Sequence, residues 1–147
     1  MKTLVLLSIL IAVSSAKIVG RCELVDIIKH SKLTKFSQYT VDDWVCLAYH
    51  ESKYNTMEVG RDRRDGKLWA SMYGIFQISS KWWCDDNRTP DARNGCGMKC
   101  TDFLGDYLEP DIECAAKIVS KEGMEAWSSW VENCKGKWIS YFSYFCF

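Results

Sequence analysis

The sequence predicts an α+β domain in which helices flank a small antiparallel sheet. Apolar residues recur at helical spacing over 21–30, and Thr40 with two aspartates soon after it is typical of the start of a second helix. Further along, Asp65-Gly66 is a strong signal for a β-hairpin, and helical spacing returns after residue 108. Eight cysteines in 147 residues add the expectation of disulfides.

The amino terminus has the form of a secretory signal peptide. In MKTLVLLSILIAVSSA, one lysine precedes an aliphatic run that ends in small residues at Ala16. We expect cleavage after Ala16, secretion to the extracellular space and a single mature domain over 17–147. The aliphatic run is shorter than the roughly 18 to 20 residues of a membrane-spanning helix, and no later segment approaches that length.

The cysteines and the charge balance narrow the class of protein. All eight cysteines follow Ala16, and an even number in a short exported chain favours disulfides over a zinc site, although spacing alone leaves the pairing open. Loss of Lys2 with the signal peptide leaves 18 basic against 19 acidic residues. That balance gives no general attraction to nucleic acid or other polyanions. We expect no metal site and no nucleic-acid partner.

The second predicted helix carries a candidate catalytic acid. Its apolar residues are expected to pack inward, and Glu51 lies seven residues after Trp44, on the same helix face. A carboxyl group held against aromatic surface keeps its proton near neutral pH and can act as an acid. His50-Glu51 begins no H-E-x-x-H zinc motif, because residue 54 is Tyr54. Serine-hydrolase motifs and glycine loops for phosphate are also absent from the sequence, so no cofactor is expected.

The middle of the chain is predicted to form the sheet. YGIFQIS, 73–79, alternates with period two as strands do, whereas 84–100 is loop-like. Trp82 and Trp83 are adjacent and cannot both face one core from an extended segment, so at least one is expected to be exposed. Exposed aromatic planes beside amide side chains are typical of sugar-binding sites.

Two later segments are predicted to be helical. EPDIECAAKIVSK, 109–121, has Pro110 in its first turn, and GMEAWSSWVENC, 123–134, predicts a further short helix. For Trp44, Trp127 and Trp130, packing in the core is the alternative to a role in binding.

Six segments and the order of the eight cysteines resemble the C-type lysozymes and α-lactalbumin. The segments are GRCEL, WVCLAYHESKYNT, YGIFQISSKWWC, RTPDARNGC, CAAKIVS and GMEAWSSWVENCKG. The HES at the helix end resembles insect lysozymes more than vertebrate ones. The resemblance implies a lysozyme-like fold, with an α lobe over about 17–54 and 105–147, a β lobe over about 55–104, and a cleft between them. It also implies four disulfides, Cys22–Cys146, Cys46–Cys134, Cys84–Cys100 and Cys96–Cys114.

The family chemistry implied by the resemblance is hydrolysis of the β-1,4 link between N-acetylmuramic acid and N-acetylglucosamine, with retention. Lysozymes are the type case of this two-carboxylate mechanism. By motif, Glu51 matches the general acid. The second carboxylate belongs directly before the tyrosine of YGIFQI, where this chain has Met72.

No acid nearby can take the place of the missing carboxylate. The chain is about four residues longer than most family members between Asp65-Gly66 and Tyr73, but residues 67–72 contain no acid under any shifted alignment. Asp62 and Asp65 lie too far up the strand for carboxyl groups that must be roughly 5 to 5.5 Å apart. We therefore expect muramidase activity to be weak or absent.

Sugar binding is expected to survive better than catalysis. The resemblance implies saccharide contacts by a set of residues in which Ser79 replaces a common asparagine and Ala126 acts through its backbone. This set is Gln77, Ser79, Trp82, Trp83, Ala126 and Trp127. The resemblance also places part of this chain on the calcium-binding loop of α-lactalbumin, which has three carboxylate ligands. Of these three, this chain has only Asp111, and one side-chain carboxylate is too few to bind calcium.

Two surface features lie outside the family pattern. The carboxy-terminal tail KWISYFSYFCF is unusually rich in aromatic residues. Ile139 and Phe142 are expected to pack in the core. The other aromatic side chains either cover the core or form an exposed surface for a partner. The candidates for partner contact are Trp138, Tyr141, Phe145 and Phe147. Asn87-Arg88-Thr89 is a glycosylation sequon, although Pro90 directly after it disfavours its use.

The leading hypothesis from the sequence is a secreted, monomeric, lysozyme-like protein that binds peptidoglycan- or chitin-type N-acetylglucosamine polymers with little or no hydrolysis. One alternative is an active lysozyme of bacterial peptidoglycan, for defence or digestion. Another is a non-sugar recognition protein that uses the aromatic tail.

Overall fold

The computed structural model describes residues 17–146. The expected signal peptide, 1–16, and the terminal Phe147 lie outside the described residues. Four α-helices are present in this part of the chain: α1 Arg21–Lys29, α2 Val41–Ser52, α3 Glu109–Glu122 and α4 Ser128–Asn133. Five short strands lie between α2 and α3: β1 Val59–Arg64, β2 Lys67–Tyr73, β3 Ile78–Ser79, β4 Cys84–Asp85 and β5 Met98–Lys99. Single 3₁₀ turns occur at Lys32–Lys35, Cys100–Phe103, Met124–Ala126 and Ser140–Phe142.

Helix α2 begins as the sequence predicts. The Thr40 hydroxyl accepts a hydrogen bond from the Asp43 backbone amide, and the Asp43 carboxylate accepts one from the Thr40 amide. The helix ends at Lys53, whose backbone is left-handed (φ 52°). Its inward face buries the predicted apolar residues Trp44, Val45, Leu47 and Ala48. In α3, Pro110 occupies the first turn as expected.

The three-stranded antiparallel sheet has the order β1-β2-β3, and Asp65-Gly66 forms the predicted hairpin turn. Met72 on β2 lies opposite Gly60 on β1 and opposite Ser79 on β3. The segment 84–100, predicted as a loop, contains the parallel pair of two-residue strands β4 and β5.

The strand predicted for 73–79 is wrong in its middle. β2 ends at Tyr73, a turn covers 74–77, and β3 begins at Ile78. Gly74 (φ 79°) and Gln77 (φ 49°) have left-handed backbones that a strand cannot accommodate. The turn also buries the adjacent Ile75 and Phe76 together, which a strand cannot do on one face.

The short helix predicted around 123–134 is present as α4, which covers only Ser128–Asn133. A 3₁₀ turn, Met124–Ala126, is separated from α4 by Trp127, whose backbone is extended (φ −103°, ψ 107°). This conformation directs the indole Nε1 to the Phe76 carbonyl oxygen, at 2.9 Å. A tertiary hydrogen bond across 51 residues thus accompanies the break in the helix.

One hydrophobic core joins all four helices to the turn over 74–77. Trp44, Phe76 and Phe103 are its largest fully buried side chains. Four disulfides reinforce it, and they are the pairs that the resemblance implies: Cys22–Cys146, Cys46–Cys134, Cys84–Cys100 and Cys96–Cys114. The α+β class with a helical lobe, a small antiparallel lobe and four disulfides is confirmed. Within 17–146, no helix is long and apolar enough to cross a membrane.

Candidate functional site

A cavity of about 360 Å³ lies between the sheet region and the segment that joins α3 to α4. The six residues that the sequence proposed for sugar contact all line it: Gln77, Ser79, Trp82, Trp83, Ala126 and Trp127. The other lining residues are Ile78, Arg93, Ile118 and Glu122. Side chains that are up to 50 positions apart in the sequence therefore meet on one concave surface.

The turn over 74–77 carries Gln77 into this cavity and is held from two helical segments. The Ser52 hydroxyl, at the end of α2, donates to the Ile75 carbonyl oxygen at 2.8 Å. Trp127 donates to the next carbonyl, that of Phe76. Gly74 is required here, because a Cβ at this position would lie 2.2 Å from the Phe103 carbonyl oxygen.

The side-chain amide nitrogen of Gln77 already donates hydrogen bonds within the protein. Its Nε2 donates to the carbonyl oxygens of Glu58 and Gly74, at 3.0 and 2.9 Å. Its Oε1 faces Gly60. A ligand would meet the amide mainly as an acceptor, since the amide hydrogens have internal partners.

The three cavity tryptophans differ in accessibility. Trp82 is 41% exposed, which confirms the prediction that at least one of the two adjacent tryptophans is exposed. Trp83 is partly buried and packs against the core, and Gly95 allows its close approach, because a Cβ there would lie 2.8 Å from the indole. Trp127 is 7% exposed, so much of its ring belongs to the core, as the alternative reading of this residue held. Trp82 is the most exposed of the three, and its ring also contacts Trp69 and the Arg93 guanidinium.

Glu51 sits at the carboxyl end of α2 and does not line this cavity. Its Oε1 accepts a hydrogen bond from the hydroxyl of Ser129 on α4. Burial raises the pKa of Glu51 above its usual value, and the hydrogen bond from Ser129 acts in the opposite direction. The group is therefore a carboxyl that retains its proton at higher pH than an exposed glutamate does.

Met72 occupies a position where none of the immediate cross-strand partners is acidic. Its partners are Gly60 and Ser79, and its Cε lies 3.1 Å from where a Cβ of Gly60 would be. Asp62 lies opposite Ala70 and bonds to Arg64 at 3.5 Å. Asp65 is in the hairpin turn, seven residues before Met72, which at about 3.3 Å per residue is roughly 20 Å away along the strand.

Asp111 is enclosed at the start of α3. It is fully buried, and its Oδ1 lies 2.6 Å from the position that a Cβ of Gly74 would take. Burial raises the pKa of Asp111 to about 8, against the opposing effect of the backbone amides of Asp111 and Ile75. This placement leaves the carboxyl facing backbone and apolar atoms.

Cys46, His50 and Cys134 come close enough together to suggest a metal site. The two cysteines are joined in a disulfide, so their sulfurs are not thiolate ligands.

The two surface features have distinct environments. Asn87 is exposed, and the hydroxyl of Thr89 in the same sequon shares a hydrogen bond of 2.6 Å with that of Ser80. In the tail, Phe142 is buried and Ile139 packs against the core, as expected. The exposed tail aromatics among the described residues are Trp138, Tyr141, Tyr144 and Phe145, at 81, 49, 60 and 82%. Phe147, the fourth proposed contact residue, lies outside the described residues.

Sequence reasoning missed Ser129 and the anchor of the loop after β4. The Tyr73 hydroxyl donates to the Asp86 carboxylate at 2.9 Å, and Asp86 accepts from the amides of Arg88 and Thr89. These contacts join residues far apart in the sequence, and no local pattern indicates them. Asp86 before a turn-like NRTP segment was the one available signal.

The fold and the four disulfides, together with a tryptophan-lined cavity and a partly buried carboxyl at a helix end, define a lysozyme-like domain. The sequence profile of the C-type lysozyme/alpha-lactalbumin family matches residues 17–146. The chain therefore belongs to this family.

Three relatives show how similar the chain is to lysozymes. Lysozyme C of Bufo gargarizans andrewsi is 42% identical over 127 residues, which cover 86% of this chain and 85% of that protein. Lysozyme C of Crax fasciolata is 44% identical over 128 residues, covering 84% and 96%. Lysozyme C-1 of Mus musculus is 38% identical over 143 residues, covering 95% of each. The stronger resemblance to insect lysozymes expected from His50-Glu51-Ser52 stays a prediction.

Proposed function

We propose that this protein is a secreted member of the lysozyme family that binds N-acetylglucosamine polymers of the peptidoglycan or chitin type and hydrolyses them weakly or not at all. The observation that carries the proposal is the position of Met72. It lies between Gly60 and Ser79, near the Gln77 amide, while Glu51 is partly buried and its pKa is raised. The candidate acid Glu51 is therefore present, but β2, the strand that carries Met72, contains no carboxylate.

The chemistry explains why this loss is severe. In the retaining mechanism, one carboxyl protonates the leaving oxygen and the other stabilises or captures the positive centre that develops on the sugar. A thioether is neutral and cannot do the second task. Loss of one preorganised electrostatic partner commonly lowers the rate by about 10²- to 10³-fold, and here the lost group is also the nucleophile.

The binding half of the proposal rests on the cavity. Trp82 contributes a partly exposed indole and Ser79 a hydroxyl, and Ala126 is exposed on the same concave surface. Such a surface matches sugar rings, which present apolar faces and polar edges. Met72 does not line the cavity itself, although Ser79 is its partner on β3.

Retention and clearing assays on the mature chain, 17–147, test both halves together. We expect retention on insoluble chitin and peptidoglycan, with little clearing of bacterial walls by the same sample. Rapid clearing that Glu51→Gln abolishes would establish the alternative of an active lysozyme. Absence of retention on both polymers would reject sugar binding.

The exposed tail supports a second proposal, that a non-sugar partner contacts Trp138, Tyr141 and Phe145. All three side chains are exposed, by 49 to 82%, and the rings of Trp138 and Tyr141 contact each other with centroids 6.0 Å apart. We expect Trp138→Ser with Phe145→Ser to leave chitin retention unchanged, because these residues do not line the cavity. A loss of chitin retention in that variant would tie the tail to sugar binding instead.

A further inference from the structure

A second cavity, of about 370 Å³, lies where α1 and the end of α2 meet the carboxy-terminal tail. Four of its five lining residues carry aromatic rings, and the set is Arg21, Tyr49, Tyr54, Tyr141 and Phe142. We call it the aromatic cavity. It shares no lining residue with the cavity that contains Trp82, so a ligand here would not meet the residues proposed for sugar contact.

The rings of the aromatic cavity contact one another. The Tyr49 ring centre lies 5.6 Å from that of Tyr54 and 5.9 Å from that of Phe142. Tyr141 and Phe142 are closer, with ring centres 4.4 Å apart and an interplanar angle of 30°. Aromatic rings pair with further aromatic rings in tilted and offset arrangements of this kind. A planar aromatic group therefore matches the wall of this cavity.

The Arg21 guanidinium holds the tail beside α1. Its Nη1 donates to main-chain carbonyl oxygens of the tail, those of Tyr141, Phe142 and Tyr144. Among residues 17–146, none accepts a hydrogen bond from its Nη2 or Nε, and no carboxylate forms a salt bridge with it. One nitrogen of Arg21 thus fixes the tail, while its positive charge stays without a carboxylate partner in this part of the chain.

The charged groups around the aromatic cavity favour an anionic ligand. The Lys53 ammonium lies 3.8 Å from the centre of the Tyr49 ring. None of the five lining residues is acidic. Asp42, a carboxylate that contacts the tail, already accepts hydrogen bonds from the amide and the hydroxyl of Ser143. A cationic ligand would be repelled by Arg21 and Lys53, so the rings are not suited to enclose a cation.

Tyr54 supplies an unpaired polar group. Its side chain is 9% exposed, and its hydroxyl is buried without a hydrogen-bond partner among the described residues. Burial raises the pKa of Tyr54 to about 12, and the other groups that act on this pKa, Arg21, Tyr49 and Tyr141, all line the cavity. The hydroxyl therefore lies near the cavity and stays protonated at neutral pH. A buried hydroxyl without a partner costs stability, and an acceptor on a bound ligand would remove that cost.

From these contacts we propose that the aromatic cavity binds a small aromatic carboxylate, whose ring packs on the aromatic wall and whose carboxylate accepts from the Tyr54 hydroxyl beside the Arg21 guanidinium. Because the Tyr54 hydroxyl is covered, the ligand reaches it when the Tyr141 ring turns aside. Tyr141 is 49% exposed, and its bond to Arg21 uses the main-chain carbonyl, so the ring can move without breaking that bond. This site does not depend on sugar binding.

Titration calorimetry of the mature chain, 17–147, with three small probes tests the site. The probes are 2-naphthoate, its neutral analogue 2-naphthamide, and octanoate, which has a carboxylate but no ring. We expect 2-naphthoate to bind with a Kd of roughly 0.1 to 1 mM, a range that ligands of this size reach. The neutral amide should bind about tenfold more weakly, because it lacks the charge that Arg21 and the Tyr54 hydroxyl favour. Octanoate should bind more weakly than 2-naphthoate, because it cannot pair with the rings.

The variant Tyr54→Phe removes the proposed donor and is expected to fold, because the lost hydroxyl has no partner among the described residues. Its stability in denaturant should equal or exceed that of the wild type, whereas its affinity for 2-naphthoate should fall about tenfold. The matched control is Tyr144→Phe, which removes a hydroxyl from an exposed tyrosine outside the cavity and should leave the affinity unchanged.

Four results would overturn the proposal. The first is the same 2-naphthoate affinity in Tyr54→Phe and the wild type. The second is a loss of this affinity in Trp82→Ala, which would place the probe in the other cavity. The third is octanoate binding as tight as that of 2-naphthoate with the same dependence on Tyr54, which would assign the cavity to acyl chains. The fourth is a sharp gain in affinity in a variant that ends at Cys146. It would assign the cavity to the chain's own Phe147, which is itself an aromatic carboxylate.

Discussion

The hydroxyl of Ser129 on α4 donates a hydrogen bond to the partly buried carboxyl of Glu51 on α2. Burial and this hydrogen bond act on the pKa of Glu51 in opposite directions, and burial is the larger effect. Ser129 therefore sets how far the carboxyl can hold its proton toward neutral pH. It is a positioning residue for Glu51.

Replacement of this serine should raise the pKa of Glu51 further. In Ser129→Ala, the ionised carboxylate loses a donor while its burial is unchanged, so the neutral form gains. A titration of the Glu51 side-chain carbon by NMR measures this directly. Ser128→Ala is the matched control, because Ser128 is the exposed neighbour on the same helix. An unchanged midpoint in Ser129→Ala would show that the hydrogen bond does not stabilise the carboxylate.

Asp111 predicts an unusual dependence of stability on pH. Burial raises its pKa in the folded protein from the ordinary value of 3.8 to about 8. Between these values the folded state keeps a proton that the unfolded state releases, so the free energy of unfolding falls as pH rises from about 4 to 8. Below pH 4 both states are protonated and this penalty vanishes.

The variant Asp111→Asn removes the group that titrates. We expect it to be more stable than the wild type at pH 8 by a few kcal/mol, on the order of the 1.4 kcal/mol per pKa unit of linkage, and by less at pH 4. Denaturant unfolding at the two pH values measures the difference. A stability gap that is the same at both would contradict a raised pKa for Asp111.

Trp82 should carry much of the sugar affinity. It is the most exposed tryptophan of the cavity, and its loss removes about 1 to 2 kcal/mol of apolar burial, or roughly tenfold in affinity. We expect Trp82→Ala to weaken binding of chitin oligosaccharides by this factor in titration calorimetry. Trp138→Ala is the control, since Trp138 is more exposed but lies outside the cavity. Equal affinity in Trp82→Ala and wild type would remove Trp82 from the site.

Three features could be predicted because each depends on residues that are neighbours in the sequence. They are the hairpin, the start of α2 at Thr40 and the exposure of one of Trp82 and Trp83. A capping box spans four residues, and Asp65-Gly66 forms a turn by its own backbone preference. The turn over 74–77 could not be predicted in this way. Its YGIFQIS sequence alternates like a strand, and contacts from Ser52 and Trp127 hold the turn across the fold.

The candidate site divides in the same manner. The resemblance indicated the residues that line the cavity, since it compares whole segments with known ones. It assigned no role to Ser129 or Trp69. Both act through tertiary contacts, one with Glu51 and the other with Trp82, and neither contact has a signature in the local sequence.

The central claim is that Met72 disables an otherwise complete lysozyme cleft, and the variant Met72→Asp tests it most directly. The measurement is the rate of bacterial wall clearing by the wild type, Met72→Asp and the neutral control Met72→Asn. We expect Met72→Asp to clear walls at least about 10²-fold faster than the wild type and Met72→Asn to show no such gain. Adding Glu51→Gln to Met72→Asp should abolish the gain. A wild type that already clears walls in a Glu51-dependent manner, with no gain in Met72→Asp, would contradict it.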